Sequence, residues 1–427
     1  MLKKNISKTY NVIKNSEFLI LSLKNSGQVA LRFIIGIINI KVISIWIGAS
    51  GLALTGQFTN FLQIAGTFSG IGFNHGITKL ISQYSNSTIR KKLIISNGLA
   101  LSLGLSIVTS ILLYLFSDIL SISILKDIRF KLFFKLAGIV VFSLSFSNLI
   151  LSILNGAKKY KSFIQLNIGM IISSFIFLVP MTYLYGLNGA ILSQYFSGII
   201  HIILALYFAK DINYKSLNHF RISFYISKRL IHFGLMLVLA SSIPPLVSIV
   251  IRNLIISEYG LEVAGWWEGV SRISKTYLGL CISTISLYYL PQISKHQSSS
   301  QLNKLIHSTI KQAMPIVTFG LILIFISKDI IVKVLFTKDF YEMKKLFLFQ
   351  NIGDTCRMFN WFFAITIIIK EKITIYIYSE IIMAVTYLTL VYLIIPYLGI
   401  NYSTLPYMIN TFIYLGVSQY IYRKHIL

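Results

Sequence analysis

DINYKSLNHFRISFYISKR, residues Asp211 to Arg229, divides the chain almost into halves, and what flanks it decides the fold. Six apolar runs lie on each side, each close to the ~20 residues that a helix needs to span a bilayer. The first six centre on Ile35, Gly66, Gly104, Phe142, Ile171 and Ala190 to Tyr207; the second six centre on Ala240, Leu278, Phe319, Phe362, Val385 and Phe412. Lipid offers backbone amides no partner, so uninterrupted runs of this length are helices, whereas a membrane barrel alternates over short strands. Abundant isoleucine does not overturn this, because strand propensity is a weaker signal than run length. The expected fold is an all-α polytopic membrane protein of about 12 transmembrane helices. Residues 1–212 form an N-terminal six-helix bundle, 213–227 a cytoplasmic linker, and 228–427 a C-terminal six-helix bundle. Each half holds an even number of spans, so both enter from one side, which is transporter architecture.

Composition agrees. Of 427 residues, 55% are hydrophobic and only 12% charged, and the mean hydropathy is +0.74, which excludes an ordinary soluble protein. The net charge of +26 comes from 39 Lys and Arg against 13 Asp and Glu. These bases punctuate membrane-length segments and form no solvated basic face, so nucleic acid is not the partner. Cys281 and Cys356 lie inside apolar runs and read as small buried hydrophobes, with no metal site or redox pair to support. The opening MLKKNISKTYNVIKNSEF has no compact apolar core with a cleavage site, so no removable signal peptide is expected. One set of alternate loops gathers most of the bases: Lys3 and Lys4, Arg90 to Lys92, Lys158 to Lys161, Lys210 to Arg229, Lys295 to Lys311, Lys370 and Lys372, Arg423 and Lys424. The positive-inside rule makes that side, and both termini, cytoplasmic. The opposite loops include three with no charge, around Ala49, Gly186 and Leu398, and two, near Lys126 and Lys338, in which bases mix with Asp118, Asp127, Asp339 and Glu342. No loop exceeds roughly 20 residues, too short for a folded soluble domain.

Function is then sought in polar groups placed where hydrocarbon penalises them, by at least ~2.5–3.5 kcal/mol for a charge at mid-bilayer. In the first run Asn25, Gln28, Arg32 and Asn39 keep to one helical face. Asn60, Thr67 and Asn74 follow at intervals of seven, with His75 beside them. Such amides also glue helices together, and Lys41 and Lys79 are near enough to span ends to snorkel; Arg32 is too deep for that. In GWWEGVSRISKTYLG, Glu268, Arg272 and Lys275 project from one face, with Glu268 and Arg272 in a favourable i, i+4 order. An ion pair accounts for two of them and leaves Lys275 as surplus positive charge. Gln350, Asp354 and Arg357 share a face of the tenth run, where Asp354 and Arg357 either neutralise each other or exchange partners, and Glu380 stands in the eleventh. Pro244 and Pro245 bend the seventh run, as a fixed kink or as a hinge. The many Tyr near span ends read as an interfacial belt. No acid lies in a span of the first half, while Arg32, Lys41 and His75 do. Such an interior suits an anionic cargo, and phosphate or diphosphate is what Arg and Lys facing a cavity recognise.

Three stretches carry a family resemblance: GASGLALTGQFTNFLQIAGTFSGIGFNHGITKLISQYSN from Gly48, GWWEGVSRISKTYLGLCISTISLYYLPQISK from Gly265, and FTKDFYEMKKLFLFQNIGDTCRMFNW from Phe336. With the span number, they resemble the Wzx-type flippases of the multidrug/oligosaccharidyl-lipid/polysaccharide (MOP) exporter superfamily, in the branch that moves O-antigen or enterobacterial common antigen units. The fourteen-span lipid II flippases differ, since this chain leaves no room for an extra pair. The resemblance implies two six-helix bundles around a central cavity, in the inner membrane of a Gram-negative bacterium. The implied cargo is an undecaprenyl-diphosphate-linked oligosaccharide, flipped by alternating access while its tail stays in membrane lipid. A polysaccharide polymerase and a chain-length regulator are the implied partners. No cofactor is expected and no bond is broken, so the chain reads as a transporter and not as an enzyme. On this reading Arg32, Arg272, Lys275 and Arg357, with Asn25, Gln28, Asn60, Asn74 and His75, line the cationic cavity. Glu268, Asp354 and Glu380 are ion-pair or coupling groups. The alternative is a proton- or sodium-coupled exporter of small molecules from the same superfamily, governed by those three acids. A membrane polymerase would need a large external loop with catalytic residues, and none is present.

Overall fold

The computed structural model describes residues 17–212, 222–295, 299–370 and 372–426, and among them no residue is in a strand. The first half runs α1 (Glu17–Phe68), a 3-10 turn (Ile71–Phe73), α2 (Asn74–Gln83), α3 (Thr88–Leu115), α4 (Ser117–Leu125), α5 (Lys131–Gly156) and α6 (Tyr160–Ala209). The second half runs α7 (Phe224–Lys295), α8 (Ser299–Ile326), α9 (Lys328–Leu335), a 3-10 stretch (Lys338–Leu346), α10 (Phe347–Ile369), α11 (Ile373–Leu398) and α12 (Leu405–His425). Among the described residues, eight helices are long and apolar enough to cross a membrane. Three of them, α1, α6 and α7, break at Gly48, Gly186 and Gly260, which makes eleven limbs, and α12 is the twelfth. The protein is an all-α multi-pass membrane protein, and these limbs are compatible with the roughly twelve helices that the apolar runs predict.

Four hairpins turn on glycines with positive φ: Gly48 (φ 65), Gly186 (φ 57), Gly260 (φ 87) and Gly399 (φ 83). Gly48 and Gly260 also have ψ near 180°, a backbone region open essentially to glycine alone. The charge-free loops of the sequence are three of these hairpins, at Gly48, Gly186 and Gly399, while Gly260 turns between Glu258 and Glu262. Equivalent features recur about 212 residues apart, Gly48 with Gly260, Gly186 with Gly399, and Lys126–Asp127 with Lys338–Asp339. That spacing reveals an internal repeat which residue identity hides. The end of the molecule carrying these glycines is called the glycine end, and the opposite one the basic end. A Cβ on Gly260 would meet nothing within 4 Å, so Gly260→Ala isolates backbone strain. We expect it to destabilise the protein by about 1–3 kcal/mol, read as a lower unfolding midpoint in detergent with unchanged retention on gel filtration.

Apolar residues on α3 (Ile107, Ile111, Leu115) and α8 (Ile316, Phe319, Leu323) recur at helical spacing and are exposed, as a face turned to lipid requires. Only the last residues of the expected linker are described. Residues 213–221 lie outside the described residues, but α7 begins at Phe224, inside the stretch 213–227. The Asn97 side-chain carbonyl explains the early start: it accepts the Ser223 amide at 2.9 Å and the Ser227 hydroxyl at 2.7 Å, and Leu230 is fully buried against the first bundle.

Candidate functional site: a cationic cavity and the cluster that closes it

A cavity of about 420 Å³ opens between the bundles. The second limb of α1 contributes Asn60 and Gln63, and α7, α10, α11 and α12 supply the rest of the wall. Of the residues singled out in the sequence, Asn60, Lys275, Arg357, Glu380, Pro244 and Pro245 meet here. Lys275 and Arg357 are solvent-exposed, and the space they face is the cavity. Neither is ion-paired with a carboxylate among the described residues. Glu380 accepts a hydrogen bond from the Tyr414 hydroxyl. The wall also holds Trp361, Tyr376, Tyr387 and Tyr407. An interfacial belt therefore explains Tyr183, Tyr397 and Tyr420, which are exposed, but not these cavity aromatics.

Asp354 does not neutralise Arg357. Its Oδ1 accepts from the Ser274 hydroxyl (2.8 Å), the Gln350 amide (3.2 Å) and the Tyr407 hydroxyl (2.7 Å), and its Oδ2 from the Tyr277 hydroxyl. Four neutral donors satisfy this fully buried carboxylate, so the Arg357 guanidinium, beside Tyr407 and Glu380, remains available to the cavity.

Toward the glycine end the cavity is shut by a cluster that spacing alone reveals only in part. Glu268 pairs with Arg272 at 2.7 Å, as the i, i+4 order predicts, but it also pairs with Arg252. Arg252 is 0% exposed. Its Nη1 donates to Gln57 Oε1, and Arg272 Nη2 donates to Thr55 Oγ1 at 3.2 Å. Gln57 Nε2 donates to Asn253 Oδ1 at 2.8 Å. Between Thr55 and Gln57 stands Gly56, where a Cβ would lie 2.5 Å from Glu268 Oε1; only glycine admits the carboxylate. A turn beyond, a Cβ on Gly265 would lie 2.1 Å from the Ala49 carbonyl. The bundles thus touch backbone to backbone at this end. The 212-residue repeat makes Gly56, Asn60 and Gln63 the counterparts of Glu268, Arg272 and Lys275. The facing stripe is neutral on one bundle and charged on the other.

The remaining sequence candidates lie elsewhere. Arg32 is exposed but not on the cavity wall. It stands one turn before Gly36, whose Cβ position is 3.7 Å from Thr276, and on the side of α1 away from exposed Ile34, Ile38 and Ile45, so it belongs to the seam between bundles. Gln28, one turn before it, is buried with its Oε1 unpartnered. The side chain of Asn25 lies outside the described residues. Asn74 and His75 do not continue the Asn60 stripe: α1 ends at Phe68, the chain turns at Gly70 (φ 128), and the two residues open α2, Asn74 buried and His75 exposed. Spacing by seven is meaningful only within one helix, and Gly70 ends that helix.

A family model described as polysaccharide biosynthesis protein matches residues 25–297. The chain belongs to that family. The match takes in the whole closing cluster and Lys275, while the Arg357 and Glu380 walls of the cavity lie beyond its last residue. Among curated relatives, the lipid III flippases of Escherichia coli (strain K12) and Shigella flexneri are each 23% identical over 399 residues, covering 93% of this chain and 96% of theirs. Among solved structures, an inward-facing multidrug resistance MATE transporter of the MOP superfamily superposes with a TM-score of 0.74 at 16% identity, covering 94% of both chains. A MOP superfamily transporter from Pyrococcus furiosus, whose report describes a binding pocket of reversed polarity, gives 0.69 at 16% identity and 95% of both chains. These likenesses establish the MOP transporter fold for this member of the family.

Proposed function

We propose that this protein is a flippase that carries undecaprenyl-diphosphate-linked oligosaccharide units, an O-antigen repeat or the lipid III of enterobacterial common antigen, across the bacterial inner membrane by alternating access. The observation that carries the reading is the pair Lys275 and Arg357, both open to the cavity and neither spent on a carboxylate. Curated relatives named lipid III flippases across nearly the whole length support the cargo class. A diphosphate cannot shed its hydration in hydrocarbon, but charge-assisted hydrogen bonds from Lys275 and Arg357 replace that hydration inside the protein. The polyprenyl chain stays in lipid. Residues 1–212 and 228–427 act as two lobes, with the basic end cytoplasmic. At the glycine end Arg129 pairs with Asp127, Lys131 with Asp118, Lys344 with Asp329 and Lys345 with Glu342. Lys and Arg are nonetheless fewer here than in the loops of the basic end, and that difference in number supports both termini inside. Arg32 and Gln28 line the route by which the headgroup enters along the seam. Pro244 and Pro245, on the cavity wall, form the bending point. The polymerase and the chain-length regulator receive the unit on the far side.

A second reading, a cation-coupled exporter of small molecules, is favoured by Glu380 on the cavity wall and by the solved multidrug transporters. One assay separates the two. Proteoliposomes carrying a polyprenyl-diphosphate oligosaccharide in the inner leaflet are probed with an impermeant lectin. The proposal expects protein-dependent appearance of the glycan outside, unaffected by lipophilic cations; no appearance, with uptake of a lipophilic cation instead, refutes it.

A further inference from the structure

The cluster at the glycine end holds two guanidiniums, Arg252 wholly buried and Arg272 partly so, against one carboxylate, so a net positive charge stands where the bundles meet. Burying surplus charge is costly, and here the cost is only partly relieved. Arg252 Nε has no hydrogen-bond partner. Arg252 Nη1 and Arg272 Nη2 turn instead to Gln57 and Thr55, neutral acceptors that belong to the other bundle. Glu268 and Arg252 lie at equal depth, eight residues on either side of Gly260. Arg272 is one turn from Lys275, about 4.5 Å of helix rise, so cations run in steps from the cavity to the closed end.

We propose that Arg252 and Arg272 form a second diphosphate station, occupied when the glycine end opens, with Gln57 and Thr55 standing in for phosphate oxygens while it is shut. The inference rests on the alternating-access reading above and adds a site to it. Opening withdraws the second limb of α1 and takes Gln57 and Thr55 with it. Two guanidiniums are then exposed with free donors, in planar geometry that matches phosphate oxygens. A diphosphate held by Lys275 lies one turn from that vacancy. Cargo therefore favours the open state by differential binding, the only way a ligand shifts such an equilibrium.

The test uses the full chain in proteoliposomes, with Cys281 and Cys356 replaced by alanine and Ala53→Cys as reporter. Ala53 is 0% exposed and packs against the second bundle among Ile251, Ala264 and Trp267, so an impermeant maleimide reaches position 53 only when this end opens. A polyprenyl-diphosphate oligosaccharide should accelerate labelling about tenfold, corresponding to ~1.4 kcal/mol of coupling. Arg252→Gln leaves Glu268 and Arg272 as a balanced pair and should fold. In that variant the acceleration should vanish, while cargo binding at the central cavity, read by equilibrium binding of radiolabelled cargo, persists. If the cluster is a latch only, Arg252→Gln labels faster without cargo and cargo still accelerates it further; that result overturns the station. Cargo that binds the parent without accelerating its labelling also overturns it and leaves the proposed function standing, whereas cargo that does not bind overturns both. Inorganic pyrophosphate is the second probe. Equal acceleration by it assigns the station to diphosphate in any form, and acceleration by the lipid alone assigns it to a headgroup delivered along the membrane.

Discussion

Replacing Lys275 and Arg357 together by alanine should abolish glycan translocation in the lectin assay while the protein still inserts and purifies as a monodisperse species. Each side chain offers a charge-assisted hydrogen bond to the diphosphate, worth about 1.5–3 kcal/mol in a site withdrawn from bulk water. Loss of both therefore weakens cargo retention by about 100-fold or more. Folding should survive, because neither cation is needed to balance a buried acid: Asp354 is satisfied by four neutral donors and Glu380 by Tyr414. The single variants should each lose about tenfold or more, by the same energies. Full transport by the double variant would remove the cavity from the account.

Glu268→Ala should be among the most destabilising single substitutions in the chain. It leaves Arg252, wholly buried, without a counter-charge, and breaking a buried pair in this way costs about 3–5 kcal/mol. The expected result is loss of accumulation in the membrane, or an unfolding midpoint far below that of the parent. The sign reverses when both partners go. Arg252→Met combined with Glu268→Ala removes the wholly buried charge together with its partner and leaves unpaired only Arg272, which is part-exposed; apolar replacement of a buried pair is often neutral or stabilising. That double variant should recover most of the stability but not transport, since it also removes the second station. If Glu268→Ala is as stable as the parent, the cluster is not the tightly buried network that the geometry describes.

Sequence and structure agree where one helix carries the whole signal. Runs of about 20 apolar residues fix the spans, and the stripe of Glu268, Arg272 and Lys275 is legible because all three lie on one limb. Arg252 is invisible to such reasoning. It precedes Glu268 by sixteen residues, and the two meet only because Gly260 folds the limbs together. The available signal is symmetry about a glycine, eight residues on each side. Asn74 and His75 fail for the opposite reason, because a spacing read as continuous is cut at Gly70. The aromatic wall escapes notice since a tyrosine facing a cavity and one facing a headgroup region have the same apolar neighbours in sequence. Arg32 remains exposed, but the seam it lies on is built from helices far apart in the chain and has no local pattern.

The central claim is that the two cations open to the cavity hold the anionic headgroup of a lipid-linked glycan. A cryo-EM map of the protein in nanodiscs with a polyprenyl-diphosphate oligosaccharide tests it most directly. The account predicts diphosphate density between Lys275 and Arg357, with the first sugar against Tyr376, Tyr387 and Trp361 and the tail leaving between the bundles. Phosphates bound outside this cavity, or a cavity that takes up a lipophilic cation against Glu380 and excludes the glycan lipid, would contradict it.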